Sequence, residues 1–363
     1  MKRLNRSAPV IAALICLSSL QAAAQGDSKA QNYSSLHVFG DSLVDAGNFS
    51  NLASPSALPP SPPYAQKFSN GPVWVEVLAN ELAISPVLSS ELLPNVLPSQ
   101  GANFAVAGSL SSDINVNGEQ LPGLQRQIEF FSQYASVLPS SANALFVMLV
   151  GGNDYNEAIV NSPVQPISPE ALSDQVTDNI IQEINNLIAL GAERLLVANL
   201  PDLGQQPLVQ QLNQLNPDSA SILTTLSTRH NQLLDQKLTA LSEVSGAKII
   251  RLDLSELFKE VTANPGRFGF TNTQDPCLTN FQSGFIFEGV CDDPSKFLFW
   301  DAAHPTAATH EVIAKLAIDT LEESDKDAED IVPVPYAVLP LLVLGGVFIL
   351  VRSRTIPRPN KDT

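Results

Sequence analysis

The chain has 363 residues, with 20 lysines and arginines against 37 aspartates and glutamates, which gives a formal charge of −17. A nucleic-acid-binding protein needs a clustered basic face to contact phosphates, so we expect no nucleic acid among the partners. The hydrophobic fraction of 44% is too high for a chain that is disordered throughout. The length suits one large α/β domain or two domains of average size.

Residues 1–24 are typical of a secretory signal peptide. A basic start is followed by an apolar run over 9–20, and Ala22-Ala23-Ala24 offers a cleavage site of small residues. The apolar run is too short to span a bilayer, which argues against a permanent anchor at this end. We therefore expect export by this signal to the periplasm or the cell surface.

The body of the chain is predicted to alternate strands and helices. Continuous apolar runs indicate strands covered on both faces, and these runs occupy 36–40, 103–106, 144–150, 194–200 and 248–252. Helical patterns lie at 73–84, 121–137, 169–190, 217–245 and 305–321. This alternation predicts one α/β domain over 25–321, with helices on both faces of a sheet.

The end of the chain divides into three segments. Residues 322–330 are expected to form an acidic linker, 331–351 are uncharged and mostly apolar, and 352–363 form a basic tail. At about 1.5 Å per residue in a helix, the apolar segment is long enough to cross a hydrocarbon core of about 30 Å. Acidic residues before it and basic residues after it suit an exported body with a cytoplasmic C-terminus.

The apolar segment also resembles a class of bacterial sorting signals, PEP-CTERM. The resemblance rests on the Val332-Pro-Val-Pro335 start, the hydrophobic run and the arginines that follow, although no Glu lies between the prolines. It implies that a sorting protease is a partner and that the segment is removed after export. The alternative is a plain single-span anchor, and in both cases the segment contacts the membrane.

Cysteine usage agrees with export. Cys16 lies in the signal peptide, so only Cys277 and Cys291 remain in the mature chain. In an oxidising compartment we expect the two to form a disulfide that closes a long loop over 262–300. The absence of a C-x-x-C motif makes a thiolate metal site an unfavoured interpretation.

Ligands of parallel sheets bind at the carboxyl ends of the strands, and Ser42 follows the first predicted strand there. It lies within Phe39-Gly-Asp-Ser-Leu-Val-Asp-Ala-Gly-Asn48. A serine in a turn is more often a helix cap, and a hydroxyl becomes a good nucleophile only beside a base. The Gly-x-Ser-x-Gly elbow of α/β-hydrolases does not occur in this chain.

Of the four histidines, His304 is the best candidate for that base. Asp301 precedes it by three residues in a predicted loop, where a carboxylate can bind one ring nitrogen and leave the other free. His37 lies inside the first predicted strand and is expected to be structural. His230 and His310 fall in helical patterns and are expected on solvated faces.

An acyl-transfer enzyme also needs hydrogen-bond donors for the negative charge that develops on the substrate oxygen. Gly108 follows a short predicted strand in Asn103-Phe-Ala-Val-Ala-Gly108, and Asn153 follows another in Gly151-Gly-Asn153-Asp-Tyr155. Each segment, taken alone, is also consistent with a simple turn.

Together these blocks resemble the SGNH, or GDSL, hydrolase family over about residues 35–320. The segment Phe68-Ser-Asn-Gly-Pro-Val-Trp-Val-Glu76 resembles its GDSL esterase and lipase branch. The resemblance implies a flavodoxin-like, three-layer α/β/α sandwich around a mainly parallel five-stranded sheet. It implies no cofactor and no metal.

The resemblance also implies the roles of the site residues. Ser42 would be the nucleophile, His304 the general base and Asp301 its support. The oxyanion hole would consist of the backbone N–H groups of Ser42 and Gly108 and the side-chain amide of Asn153. The motif residues Asp41, Asp45 and Asn48 are expected to hold the turn through hydrogen bonds to backbone N–H groups.

The function that follows is hydrolysis of a small-molecule or lipid carboxylic ester. Two alternatives stay open: deacetylation of a polysaccharide or acyl transfer on the same scaffold, and a catalytically silent surface-binding protein. The proline-rich segment 51–64 either lines a lipid-accepting groove or forms a surface loop.

Overall fold

The computed structural model of the protein describes residues 33–92, 98–135, 143–161, 168–282 and 285–330. The predicted signal peptide at 1–24, the apolar segment at 331–351 and the tail at 352–363 lie outside these ranges. Within them, no helix combines the length and the apolar character needed to cross a bilayer.

The centre of the molecule is a parallel sheet of six strands in the order β2-β3-β1-β4-β5-β6. The strands are β1 (Ser35–Gly40), β2 (Val87–Leu88), β3 (Ala102–Asn103), β4 (Ala144–Leu149), β5 (Arg194–Ala198) and β6 (Lys248–Leu252). All residues of β1 and β4 are buried, as their continuous apolar runs predicted.

The sheet has six strands where five were expected. The additional strand is β2, in which Val87 pairs with Ala102 and Leu88 with Asn103. Two partly exposed residues at a sheet edge carry too short a pattern to be recognised in a sequence. The α/β class with a mainly parallel sheet is confirmed.

Helices cover both faces of the sheet. They are α1 (Asn48–Leu52), α2 (Trp74–Glu81), α3 (Leu124–Ala135), α4 (Gly152–Asn156), α5 (Pro169–Ala189), α6 (Pro207–Leu215), α7 (Ser219–Ser245), α8 (Leu254–Ala263) and α9 (Ala307–Asp330). Helices α2 and α8 pack against α9, whereas α5 packs against α3 and α7. The two groups form the outer layers of an α/β/α sandwich.

The strand order places a crevice at the carboxyl ends of β1 and β4. From β1 the chain moves to β2 on one side, and from β4 it moves to β5 on the other, so the two connections diverge. Right-handed crossovers then place the connecting helices on opposite faces, and a ligand-sized opening remains between the two strand ends. Both strand ends are followed by predicted site residues.

Helix α9 is longer than the helix expected over 305–321. It continues to Asp330 and includes the acidic segment 322–330, which was expected to be a linker. Asp325 explains part of this extension, because its carboxylate lies 3.0 Å from Lys248 Nζ on β6 and 3.3 Å from Arg194 on β5. These ion pairs hold the end of the helix against the sheet.

The expectation that His230 and His310 lie on solvated faces is wrong, since both are fully buried. His230 Nδ1 lies 2.9 Å from the Tyr155 hydroxyl, and His310 Nδ1 accepts the Trp74 N–H at 3.2 Å. Burial lowers the pKa of each ring to about 3, so both are neutral. A helical pattern does not reveal such partners, because they belong to other elements. His37 is buried within β1, as expected.

The region between α8 and α9 is a long connection of short strands, and the predicted disulfide closes a loop within it. It contains β7 (Asn272–Pro276), β8 (Leu278–Thr279), β9 (Gly289–Val290) and β10 (Phe297–Phe299). Cys277 and Cys291 are bonded, with their sulfur atoms 2.05 Å apart. Cys277 and Leu278 are fully buried and pack with Tyr64 and Trp300 in a small core of their own.

Candidate active site

Ser42 lies in the turn that follows β1, at the carboxyl end of the sheet. Its side-chain oxygen Oγ is 2.9 Å from His304 Nε2. The two residues are 262 positions apart in the chain, and His304 comes from the loop between β10 and α9. The structure thus brings the predicted nucleophile and the predicted base into hydrogen-bond contact.

Asp301 completes this chain of contacts. Both of its carboxylate oxygens lie 2.9 Å from His304 Nδ1, and one also accepts the backbone N–H groups of Ala303 and His304. Burial alone would raise the pKa of Asp301, but the interaction with His304 and these hydrogen bonds hold it below its ordinary value. The carboxylate is therefore ionised and can only accept, so Nδ1 carries the proton. In the neutral ring Nε2 is then free to accept from Ser42.

Two aromatic residues complete the surroundings of this pair. The Tyr64 hydroxyl donates to Asp301 Oδ2 at 2.8 Å, and the Phe68 ring lies 4.8 Å from the His304 ring between centroids. Sequence reasoning did not assign either residue to the site, although both lie in segments it had singled out. The missing information was the contact itself, because Tyr64 and Asp301 are 237 residues apart.

Asn153 lies at the start of α4, directly after β4. Its amide nitrogen Nδ2 donates one hydrogen to the carbonyl of Ser109 at 3.1 Å. A primary amide carries two N–H groups, so one remains available for a ligand. Asn153 lines the same cavity as Ser42 and His304.

Gly108 lies in a turn after β3, with a positive φ of 81°. A Cβ atom at this position would lie 2.0 Å from Asn117 Nδ2, so no larger residue fits without displacement. Among the described residues, no protein acceptor binds the backbone N–H of Gly108 or of Ser42. Unlike Ser42 and Asn153, however, Gly108 is not part of the cavity lining.

Asp45 holds together the turn that carries Ser42 and the loop that carries Gly108. Its fully buried carboxylate accepts the N–H groups of Gly47 and Asn48 on one oxygen, and those of Phe49 and Ala107 on the other. Burial raises its pKa despite these hydrogen bonds. This is the structural role that was expected.

Asn48 holds the turn in a different way from the one expected. Its amide donates to the carbonyls of Asn103 and Ala105, and its oxygen accepts from the Ser90 N–H. It therefore joins the turn to β3 mainly by donating hydrogen bonds, rather than by accepting them from its own turn.

Asp41 differs from its neighbours because it faces the cavity. It accepts the Leu43 N–H at 3.1 Å, within its own turn. Burial raises its pKa to about 7, so this carboxyl titrates near neutral pH beside Ser42. The negative charge of Asp154 contributes to this rise, and Asp154 itself accepts from Ser111 and has a pKa raised by burial to about 6.

The cavity in front of Ser42 and His304 has a volume of about 500 Å³. Its apolar lining includes Leu43, Leu200, Leu203, Phe258, Leu298 and Phe299. Polar side chains of Gln205, Gln206, Asn231 and Thr262 also reach it. No residue of the proline-rich segment 51–64 lines it, so that segment does not form the wall of this cavity. Within the described residues, no group of histidine, cysteine and carboxylate side chains is arranged to hold a metal ion.

Comparison with known proteins decides the family. The family model described as GDSL-like Lipase/Acylhydrolase matches residues 36–317, which is most of the chain. The chain belongs to this family. A GDSL esterase/lipase of Arabidopsis thaliana is 28% identical over 80% of this chain and 89% of its own length. Acetylajmalan esterase 2 of Rauvolfia serpentina is 29% identical over 80% of this chain and 91% of its own.

Among solved structures, an acetyl-xylooligosaccharide esterase from Geobacillus aligns with a TM-score of 0.43 and 14% identity, over 79% of this chain and 94% of that one. Membership of the GDSL family makes the protein a carboxylic ester hydrolase. In this GDSL hydrolase, the cavity at the carboxyl ends of β1 and β4 is the candidate site for the ester.

Proposed function

We propose that this protein is a secreted serine esterase or lipase that cleaves carboxylic esters through a Ser-His-Asp acyl-enzyme mechanism. The observation that carries the proposal is the 2.9 Å contact between Ser42 Oγ and His304 Nε2, with the Asp301 carboxylate 2.9 Å from the opposite ring nitrogen. A hydroxyl hydrogen-bonded to an imidazole that a carboxylate orients is an activated nucleophile.

In the first step Ser42 Oγ forms a bond to the acyl carbon while its proton moves to His304 Nε2. The carbonyl oxygen becomes an oxyanion, which the N–H groups of Ser42 and Gly108 and the amide of Asn153 would receive. When this intermediate collapses, the bond to the alcohol breaks and His304 returns the proton to the leaving oxygen. An acyl group remains on Ser42.

In the second step a water molecule attacks the acyl carbon and gives its proton to His304. Collapse of the second intermediate breaks the bond to Ser42 Oγ, which recovers the proton, and the carboxylic acid leaves. Throughout both steps Asp301 keeps the imidazole in one tautomer and stabilises its positive charge. No cofactor is needed in this sequence.

Replacement of Ser42 by alanine tests the mechanism. We expect hydrolysis of p-nitrophenyl acetate to fall by at least about 10⁴-fold. A fluorophosphonate probe should add its phosphonyl mass to Ser42 in the native protein and to nothing in the variant. The matched control is Ser221→Ala on the exposed side of α7, which should keep full activity. Undiminished turnover by the Ser42 variant would refute the mechanism, and absence of labelling in folded native protein would favour a silent surface protein.

The specificity for the ester depends on the lining of the cavity, which is partly apolar and partly polar. The apolar part suits an acyl chain, while the polar part suits a hydroxylated alcohol, so polysaccharide deacetylation and acyl transfer remain candidates on the same chemistry. A series of p-nitrophenyl esters of increasing acyl length, measured beside release of acetate from acetylated xylan, separates the candidates. Formation of a new ester between the acyl group and an added alcohol would identify a transferase.

We also propose that the protein is exported by residues 1–24 and held at the membrane by 331–351. Mass spectrometry of protein recovered from the cell envelope should find the N-terminus after Ala24. An intact C-terminus in the membrane fraction would support a permanent anchor, and loss of 331–363 would support cleavage by a sorting protease. A mature protein that retained residues 1–24 would contradict the export signal.

A further inference from the structure

We propose that Tyr64 is a positioning residue for ester hydrolysis, because its hydroxyl fixes the carboxylate of Asp301 against His304. The inference rests on the proposed Ser-His-Asp mechanism. The Tyr64 oxygen lies 2.8 Å from Asp301 Oδ2, and both side chains are buried. Among the described residues, Tyr64 and His304 are the side chains that hydrogen-bond to this carboxylate.

The two oxygens of Asp301 are held by different groups. Oδ1 accepts the backbone N–H groups of Ala303 at 2.9 Å and His304 at 2.8 Å, whereas Oδ2 has Tyr64 as its donor apart from the imidazole. His304 Nδ1 lies equally far from both oxygens. With donors on both sides, the carboxylate cannot rotate without breaking a buried hydrogen bond, which is costly. Removal of the Tyr64 hydroxyl would free one side.

The hydrogen bond also changes the charge that His304 meets. Burial, together with the negative charge of Asp301, raises the pKa of Tyr64 far above its ordinary value, so the hydroxyl donates at every working pH. A donated hydrogen bond draws negative charge away from the carboxylate. Without it, the Asp301 carboxylate would present more of its negative charge to the His304 ring and interact more strongly with the positive charge that the ring acquires during the reaction.

The surroundings of Tyr64 restrict its position. Its ring packs edge-on against Trp300 and Phe285, with 5.8 Å between centroids in each pair. Its backbone N–H binds the carbonyl of Pro60 and its carbonyl accepts the Ser61 hydroxyl. The proline-rich segment therefore presents one hydroxyl to the site with little freedom to move.

Replacement of Tyr64 by phenylalanine removes the hydroxyl and keeps the ring. We expect kcat on p-nitrophenyl acetate to fall about tenfold, as for other residues that orient a site group, while KM changes less than about twofold. The acid limb of the kcat/KM profile should move to higher pH by less than about one unit. A purely structural role would lower stability and leave this limb where it is.

The matched control is Tyr155→Phe. Tyr155 is buried like Tyr64, but its hydroxyl lies 2.9 Å from His230, outside the proposed triad. This variant measures the effect of deleting a buried tyrosine hydroxyl on the melting temperature. It should lose stability to a similar degree, with kcat and the pH profile unchanged.

A double-mutant cycle with Asp301→Asn shows whether Tyr64 acts through Asp301. In that background the additional Tyr64→Phe change should have little effect on kcat, because there is no carboxylate charge left to orient. An equal tenfold loss in both backgrounds would overturn the proposal. So would a Tyr64→Phe variant with the pH profile of the native enzyme.

Proton NMR of the His304 Nδ1 hydrogen bond gives a readout that needs no turnover. Its downfield resonance should shift in Tyr64→Phe and stay in place in Tyr155→Phe. An unchanged resonance in Tyr64→Phe would contradict the positioning role even where the Ser42→Ala result supports the mechanism. Full activity of Ser42→Ala would refute the mechanism itself, and the resonance would still report whether Tyr64 contacts the pair.

Discussion

The carboxylate of Asp45 accepts the backbone N–H of Ala107 at 2.9 Å. This contact joins the turn after β1, which carries Ser42, to the loop after β3, which carries Gly108, beside the hydrogen bonds that the Asn48 amide donates to Asn103 and Ala105. A buried carboxylate costs free energy, so its hydrogen bonds must outweigh the loss of hydration. The relative position of the nucleophile and one proposed oxyanion donor therefore depends on a residue outside the lining of the cavity at Ser42.

Replacement of Asp45 by asparagine should disturb both loops. The amide nitrogen would face backbone N–H groups in place of an accepting oxygen, leaving buried donors without a partner. We expect the free energy of unfolding to fall by about 3 kcal/mol and kcat to fall with it. Denaturant titration and ester hydrolysis measure the two effects. Asp293→Asn, where an exposed carboxylate accepts the Ser295 N–H, is the control and should behave as the native protein. Equal melting of both variants would contradict the role of Asp45.

Asp41 should make stability depend on pH in a defined window. In the unfolded chain its carboxyl ionises near its ordinary pKa of 3.8, whereas burial raises the pKa in the folded state to about 7. Between about pH 4 and pH 7 only the folded state holds this proton, so the stabilisation is lost as the pH rises. Asp41→Asn removes the effect.

The measurement for Asp41 is the difference between two melting curves. The buried histidines His230 and His310 have lowered pKa values and change stability in the opposite direction, so the native protein alone is uninformative. The melting temperature of Asp41→Asn minus that of the native protein should increase from pH 4 to pH 7 and then level off. Parallel curves over this range would show that Asp41 has an ordinary pKa.

Asn153→Ala should separate catalysis from stability. Loss of one oxyanion donor is expected to lower kcat by about 10² to 10³-fold with little change in KM. The hydrogen bond to Ser109 is worth only about 1 kcal/mol of stability. Asn156→Ala, which removes a second amide from the same cavity, is the control. A similar loss of kcat in both variants would assign the effect to the cavity rather than to an oxyanion donor.

The disulfide should stabilise the segment of the site that carries Asp301. It joins cysteines 14 residues apart, and a loop of this size contributes about 3 kcal/mol. Next to it, the Leu278 N–H binds the carbonyl of Trp300, the residue before Asp301. We expect the paired substitution Cys277→Ser and Cys291→Ser to lower both the melting temperature and kcat. Reductant should lower the melting temperature of the native protein and leave the paired variant unchanged; equal sensitivity would show that reduction acts elsewhere.

Much of the fold could be predicted because its strands are covered on both faces. The runs at β1, β4 and β5 are largely continuous and apolar, which is the pattern of a buried parallel sheet, whereas the edge strand β6 also carries Lys248 and Arg251. Strand β2 was missed because it has only two residues, which are held by backbone pairing with β3 and form no recognisable apolar pattern. The predicted C-terminal helix was too short because ion pairs of Asp325 with Lys248 and Arg194 hold further helical turns against the sheet, and the sequence pattern does not show these partners.

The grouping of Ser42, His304 and Asp301 was expected from the resemblance of their motifs to the GDSL family, and the structure brings the three side chains into contact. The surroundings of these residues could not be predicted. The positions of Tyr64 and Phe68 depend on how distant segments pack, and the burial of His310 depends on helix α2 lying against α9.

The sequence by itself determined the class of fold, the order of its elements and the residue types that could carry out acyl transfer. These properties are local, because apolar runs, turns and short motifs report on neighbours within the chain. Only the tertiary structure decided that Tyr64 holds Asp301 and that Asp45 joins two loops of the site. Those contacts are hydrogen bonds between segments that meet only after the sheet has formed, so their geometry depends on the packing of the whole domain.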